Sequence, residues 1–282
     1  IESLNFASLK FGSEASLDTF GLALPVGISF YTFQTMSYTI DIYRKKQSPY
    51  DSFLDFACYA AFFPQLVAGP IVRADHFQKE IEQPVQTNPY RFRLGLTLII
   101  YGIAKKLVIA DNVALYVDRM FAISNPEAIV LWVATYGFMV QILADFGGYS
   151  CIARGCGHML GFSLRVNFSR PYMVRSPSEF WRAWHISLSS WFHEYIYIPL
   201  GGNKNGTLRW IFAVWCTLLL SGLWHGAQWN MILWGCGHAL WLCVWKSLQS
   251  RKYGIWLNSR WSWGLMMLIH PCIWIFFREE SL

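Results

Sequence analysis

Charged side chains are scarce in this sequence. Asp, Glu, Lys and Arg make up 14% of the 282 residues, and 54% are hydrophobic, whereas a soluble domain carries roughly 25% charged residues. Five windows contain no charged residue at all: 19–40, 56–72, 128–144, 210–245 and 261–277. Because a bilayer core takes about 20 apolar residues per helix, the windows predict an all-α, polytopic membrane protein and exclude an ordinary soluble domain.

Several catalytic signatures are also missing. There is no GxSxG elbow of a serine hydrolase, and the glycine-rich stretch GGNKNG (201–206) lacks the ending of a phosphate-binding loop. His193-Glu194 begins the HExxH pattern of zinc peptidases, but Tyr197 occupies the place of the second histidine. These absences argue against serine hydrolysis, nucleotide phosphate chemistry and zinc peptidase chemistry.

The seven cysteines form no framework. Cys151, Cys156 and His158 lie close in sequence, but no second ligand pair completes a zinc pattern. We therefore expect no metal site. The basic residues border apolar segments and form no continuous stripe, so nucleic acid is not an expected partner.

Polar residues inside the apolar windows point to a polar interior. Side chains such as Gln34, Gln65, Gln141 and Asn230 are costly in hydrocarbon unless they face protein or a wet cavity. Pro25, Pro64, Pro70 and Pro271 interrupt the same windows, and broken helices persist at membrane depth only where protein covers the freed backbone. The sequence predicts re-entrant and interfacial helices around a central tunnel.

The segments between these windows carry their own signals. Ser176, Pro177 and Glu179 give a helix start, and the mixture of charged and aromatic residues over 176–200 is typical of an interfacial helix. We expect a pass over 128–146 that ends at a glycine turn and a surface loop over 73–93. The lysines at 105–106 indicate a helix near an interface, or one whose lysines reach the headgroups. Basic clusters at 44–46 and 246–260 indicate cytoplasmic loops; the alternative is a solvated loop without a role in orientation.

Two histidines are candidates for chemistry: His185 in FWRAWHISLSSW and His225 in LLLSGLWHGAQWN. A histidine in a dry pore is neutral, as a general base must be. The alternative for each is a satisfied interhelical hydrogen bond, and the residues alone leave both open. Ser221, four positions before His225, either helps bind substrate or bonds back to its own helix; we favour the second. We interpret His238 and His270 as structural.

Four stretches resemble the membrane-bound O-acyltransferase family, and within it the bacterial branch of alginate O-acetylation. They are LPVGISFYTFQTMSYTIDIYR (24–44), FFPQLVAGPIVR (62–73), SPSEFWRAWHISLSSWFHEYIYIPLGGNKNG (176–206) and LSGLWHGAQWNMILWGCGHA (220–239). They cover most of the chain in the family's order. Against the family, the chain is a single domain over 1–282 that lacks the opening and closing helices, which we read as a piece of a longer protein.

The resemblance implies a many-helix bundle in the bacterial inner membrane and transfer of an acyl group, acetyl in the first instance, to a hydroxyl. The donor would be acetyl-CoA or another acyl thioester from the cytoplasm, with no permanently bound cofactor. The partners would be membrane lipids and a polysaccharide acceptor, or periplasmic acetyltransferase proteins. The family's near-invariant histidine falls on His225 and its second polar position on His185. We predict that the substrate tunnel is lined by Trp184, Ser221, Trp224 and Asn230.

The chain departs from the family pattern at Gly147, Cys151 and His193, which bears on partner or acceptor specificity. Two other function classes stay open. A transporter whose histidines relay protons would also use intramembrane imidazoles, but it is expected to show a second inverted half, which the sequence does not display. A non-catalytic scaffold for polysaccharide export would tolerate replacement of both histidines.

Overall fold

The computed structural model describes residues 27–66, 69–82, 88–249 and 260–278, and these contain helices and irregular segments without strands. Seven α-helices precede the predicted interfacial segment: α1 Ile28–Tyr43, α2 Phe53–Ala60, α3 Phe63–Leu66, α4 Ala74–Ile81, α5 Pro89–Ala104, α6 Asp111–Phe121 and α7 Ala128–Met159. Two lie within that segment, α8 Pro177–Ala183 and α9 Ile186–Phe192, and three follow it: α10 Gly206–His225, α11 Trp229–Gln249 and α12 Arg260–Arg278. Two π-helical turns, Lys105–Ala110 and His193–Tyr197, and a 3₁₀ turn, Pro171–Met173, complete the described elements.

Helices α5 and α7 pack through paired glycines. A Cβ atom on Gly102 would lie 2.5 Å from the carbonyl oxygen of Gly148, and one on Gly155 would lie 2.5 Å from that of Gly95. Real Cβ atoms essentially never approach so closely. Gly95 and Gly102 are seven residues apart on α5, and Gly148 and Gly155 are seven residues apart on α7. Because the first glycine of one helix meets the second of the other, the two helices run antiparallel with their backbones in contact.

Helices α10 and α11 form a second close antiparallel pair. A Cβ on Gly222 of α10 would meet the carbonyl oxygen of Met231 at 2.3 Å, and one on Gly235 of α11 would meet that of Leu218 at 2.6 Å. The chain reverses at 226–228 between them. The prediction that the 36-residue uncharged run contains a break is therefore confirmed.

The interruption predicted over 53–72 is also present. Helix α2 ends at Ala60, the four-residue α3 follows, and 69–73 are irregular. The hydroxyl of the fully buried Tyr59 lies 3.1 Å from the carbonyl oxygens of both Gln34 and Val72. This side chain thus ties the broken segment to α1.

Two predictions about local structure are wrong. Helix α7 continues through Gly147 and Gly148 to Met159 instead of turning after Asp145, because Gly148 serves the contact with Gly102. The supposed loop over 73–93 contains α4, which has an acidic residue in its first turn and Phe77 buried against the core. Acidic residues near a helix start are stabilising, so Asp75 was a signal for α4. We gave more weight to the prolines on either side of the segment, which favour a loop.

Lys106, the second residue of the lysine pair, forms two ion pairs: its ammonium lies 2.7 Å from carboxylate oxygens of both Asp111 and Asp145. The π-helical turn at Lys105–Ala110 joins α5 to α6 at this point. Ion pairing within the protein therefore accounts for Lys106 in the middle of this helical run, and the position of the pair near an interface or the headgroups stays a prediction.

The largest hydrophobic cluster lies where α7, α8, α11 and α12 meet, and tryptophans dominate it. Its buried aromatic members are Phe138, Phe180, Trp184, Trp234, Trp241, Trp245 and Trp274. By length and composition, two of the described helices, α7 and α10, are apolar enough to cross a membrane. The predictions that fall on 1–26 and on the basic loop at 251–259 lie outside the described residues.

Candidate active site

A break between two short helices places His185. Helix α8 begins as predicted, with the Ser176 hydroxyl accepting the Glu179 N–H at 3.2 Å, and ends at Ala183. His185 then adopts a left-handed backbone conformation, φ 40° and ψ 55°, before α9 begins. Residues with a side chain rarely adopt this conformation, and such positions cluster at functional sites.

The imidazole of His185 is buried among aromatic rings. Only 2% of the residue is exposed, and its ring centroid lies 4.7 Å from that of Phe146 and 6.3 Å from that of Trp224. Its Nε2 atom is buried and has no hydrogen-bond partner among the described residues. The expected dry surroundings are therefore present at His185.

His225 is the last residue of α10, directly before the chain reversal. Its ring meets Trp224 at 4.7 Å, Phe277 at 5.0 Å and Trp234 at 5.2 Å between centroids. Unlike His185, this residue is exposed in the structure. The residue lies at the exposed end of its helix, but three aromatic rings pack on its imidazole and desolvate it, so the expected apolar surroundings are present around the ring itself.

A large cavity lies next to the segments that carry the two histidines, although neither imidazole is among the residues that line it. Its volume is about 850 Å³, and it runs between α8 and α9 on one side and α10 and α11 on the other. Five positions of α10 line it at helical spacing: Trp210, Val214, Thr217, Leu218 and Ser221. At about 1.5 Å per residue, this wall is roughly 16 Å long.

The two ends of this cavity differ in chemistry. One end of the α10 wall has Trp210, whose ring centroid lies 3.7 Å from the ammonium of Lys246; Arg182 and Asn203 also line the cavity. The other end has Ser221, one helical turn before His225, and Ile186, the residue after His185. An elongated molecule with a charged head matches this outline, with its head near Lys246 and its far end near Ser221.

The structure separates the four predicted tunnel residues. Ser221 lines the cavity, and among the described residues it is Thr217, not Ser221, that bonds back to the helix, at 2.6 Å from the Ala213 carbonyl. Trp224 contacts both histidine rings. Trp184 lies in the main hydrophobic cluster, and Asn230 is buried in the first turn of α11. No finding tests the roles of these residues, which remain predictions.

The charged rim of the cavity contains a residue that the sequence only hinted at. Glu194 accepts from Lys46 at 2.9 Å and from Arg73 at 2.5 Å. Partial burial raises the pKa of Glu194, but the hydrogen bond from Lys46 and the charge of Arg73 lower it by more, so that the net pKa lies below its ordinary value. The sequence signal for Glu194 was the departure from the family pattern at His193, the residue directly before it.

Arg73, which pairs with Glu194, also contacts the ring of Tyr195. The guanidinium of Arg73 lies 4.4 Å from the ring centroid of Tyr195, and the Tyr195 hydroxyl donates to Asp41 at 2.5 Å. The π-helical turn, the irregular segment before α4 and the end of α1 are thereby joined on one side of the cavity.

His238 and His270 are buried, with 5.5 Å between their ring centroids. Nε2 of His238 and both ring nitrogens of His270 have no hydrogen-bond partner within the described ranges. Both rings pack against aromatic side chains, His270 against Phe180 and His238 against Trp181, in agreement with the structural role that we expected for them. Within the described part of the chain, no group of three His, Cys, Asp or Glu residues could hold a metal ion.

Comparison with known proteins gives one family. A sequence model of the membrane-bound O-acyltransferase family matches residues 43–275. The "Probable alginate O-acetylase AlgI" of Pseudomonas aeruginosa is 39% identical over 282 residues, which cover all of this chain and 54% of the relative. The peptidoglycan O-acetyltransferase of Helicobacter pylori is 33% identical over 300 residues, covering 95% of the chain and 56% of the relative.

A more distant relative is the teichoic acid D-alanyltransferase of Bacillus subtilis, 27% identical over 259 residues, covering 86% of the chain and 65% of the relative. The chain spans about half the length of the alginate and peptidoglycan relatives that it matches.

Proposed function

Because the chain belongs to the membrane-bound O-acyltransferase family, we propose that it transfers an acyl group, acetyl in the first instance, from a cytoplasmic thioester to a hydroxyl beyond the membrane. The acceptor is an exported polysaccharide such as alginate, or a periplasmic partner protein. The donor is acetyl-CoA or another acyl thioester, bound as a substrate. The protein is a multi-pass bundle of the bacterial inner membrane, with α7 and α10 among its spans.

The observation that carries this proposal is the cavity along α10. Its roughly 16 Å wall leads from Trp210, with Lys246 beside it, to Ser221. Ser221 lies one helical turn before His225, while Ile186 on the opposite wall directly follows His185. A thioester donor has a long flexible arm between a charged head and the reacting carbonyl. The cavity fits that outline, with the head at the cationic end and the carbonyl near His225.

In the proposed mechanism, His225 accepts the proton of the acceptor hydroxyl while the oxygen attacks the thioester carbonyl. The new C–O bond forms, the C–S bond breaks, and the sulfur leaves as a thiol that carries the proton which His225 had accepted. His185 orients the donor or assists the exit of the proton. Positioned base catalysis contributes about 10²–10⁴-fold, and the aromatic walls around His185 keep out water that would hydrolyse the thioester.

The test is acetyl transfer by His225→Ala in bacterial membranes, with radiolabelled acetyl-CoA as donor and ester-bound label in the polysaccharide fraction as readout. We expect transfer to fall by about 10²-fold or more at equal membrane abundance. His76→Ala is the matched control, because His76 lies outside the cavity and the aromatic cluster. Full transfer by His225→Ala would refute the proposal, and pH-driven flux without thioester consumption would favour a transporter.

A further inference from the structure

The backbone around His185 is held by a residue from a different segment. His185 occupies the N-cap position of α9, and the first N–H groups of a helix have no partner within the helix. The side chain of the cap residue commonly accepts one of them. The imidazole of His185 does not, so another group must satisfy these donors.

Asn167 supplies both acceptors. Its main-chain carbonyl accepts the Ile186 N–H at 2.9 Å, and its side-chain Oδ1 accepts the Ser187 N–H at 3.1 Å. Its Nδ2 donates to the hydroxyl of Ser150 on α7 at 3.1 Å. Asn167 is 1% exposed, so these bonds are formed away from water, where an unmade hydrogen bond is costly.

The same segment holds the other side of the break. The Ser169 N–H donates to the Ala183 carbonyl at 2.9 Å, so residues 167–169 bond the chain both before and after Trp184 and His185. The Ser187 hydroxyl in turn accepts the Ile71 N–H at 3.0 Å. The left-handed conformation of His185 is thus fixed by hydrogen bonds on both flanks.

We propose that Asn167 is a positioning residue for His185: it caps α9 from outside, which leaves the imidazole free of capping and fixes its direction. The free ring then lies between Phe146 and Trp224 instead of bonding to its own helix. The catalytic consequence rests on the proposed function, whereas the orientation of the ring does not.

The test uses solid-state NMR of the protein in lipid bilayers with isotope-labelled histidine, where the His185 signals are assigned by their loss in His185→Gln. In Asn167→Ala we expect the His185 signals to shift or split, while those of His238 and His270 stay in place and report an intact fold. Asn167→Asp, which keeps the acceptor for the Ser187 N–H, should retain a single His185 signal. Unchanged His185 signals in Asn167→Ala, or split signals in Asn167→Asp, would overturn the proposal.

Acetyl transfer by the same variants separates the two proposals. A 1 Å misplacement of a reacting group costs about 10²-fold, so Asn167→Ala should lose about that much kcat with an unchanged donor KM, and Asn167→Asp should recover most of it. Ser150→Ala, which removes only the bond to α7, is the control, and an equal loss there would contradict capping as the cause. Retained transfer in His225→Ala would count against the proposed function, while the NMR result still decides the role of Asn167.

Discussion

The indole of Trp224 stacks on the imidazole of His185, with 6.3 Å between ring centroids and 28° between ring planes. The same indole meets the ring of His225 edge to face at 4.7 Å. The two histidines therefore share one aromatic neighbour, although one is buried and the other exposed. Their relative placement depends on this side chain.

Replacing Trp224 should consequently disturb both histidines. We expect Trp224→Ala to lower kcat for acetyl transfer by about 10²-fold, since small misplacements of reacting groups have effects of this size. Trp224→Phe keeps an aromatic face and should lose much less. Trp229→Ala removes an exposed tryptophan and serves as the control in the same transfer assay. Equal losses in Trp224→Ala and Trp224→Phe would show that the shared ring has no such role.

Filling the cavity along α10 should weaken donor binding. Thr217 lines the middle of the cavity, so the ring of Thr217→Phe would occupy space needed by the donor arm. We expect the donor KM to rise by about tenfold or more, as for a loss of about 1.4 kcal/mol in binding. Leu220→Phe places the same ring at an exposed position of the same helix. A normal donor KM in Thr217→Phe would mean that the donor binds elsewhere.

The glycine contacts between α5 and α7 predict a sharp effect on stability. A Cβ on Gly102 would lie 2.5 Å from a backbone oxygen, and overpacking of this kind costs about 1–3 kcal/mol. Gly102→Ala should therefore lower the thermal midpoint in detergent. At Gly264 a Cβ meets nothing within 4 Å, so Gly264→Ala should instead stabilise α12 by up to about 1 kcal/mol. A midpoint for Gly102→Ala at or above wild type would contradict the packing.

The ion pairs of Glu194 predict a pH dependence. The pKa of Glu194 in the folded protein lies below its ordinary value of 4.5, so its contribution to stability is complete above pH 4.5 and is lost as the pH falls through the folded-state pKa. The stability gap between wild type and Glu194→Gln should therefore narrow in acid. Unfolding at a series of pH values measures this gap. Glu127→Gln, at an exposed residue, is the control, and a gap that widens in acid would reverse the assignment.

Local signals in the sequence predicted much of the helical structure. The start of α8 at Ser176, the break in the long uncharged run and the interruption near Pro64 all follow from capping residues, glycine and proline. The sequence did not predict that α7 would run through Gly147 and Gly148. A glycine pair can mark either a turn or a close helix contact, and only the position of Gly102 on another helix decides between them.

The candidate site shows the same limit. Sequence context singled out both histidines and Trp224, because each stands in a distinctive motif. It gave no sign of Asn167, whose bonds to Ile186 and Ser187 join segments that are 19 and 20 residues apart in sequence. It also gave no partner for Lys106, because Asp145 comes into reach only through the packing of α7 beside the π-helical turn.

Glu194 lies in the π-helical turn at His193–Tyr197. The direction in which its side chain points therefore depends on the number of residues in this turn. Such turns occur mostly as single-turn bulges in α-helices and are frequent at functional sites. Each residue of an α-helix rotates the chain by about 100°, so deleting one residue here would restore regular helix and turn the following segment by about that angle. Insertion or deletion of a single residue in this turn would therefore reorient the side chains at the rim of the cavity, an effect that no substitution produces.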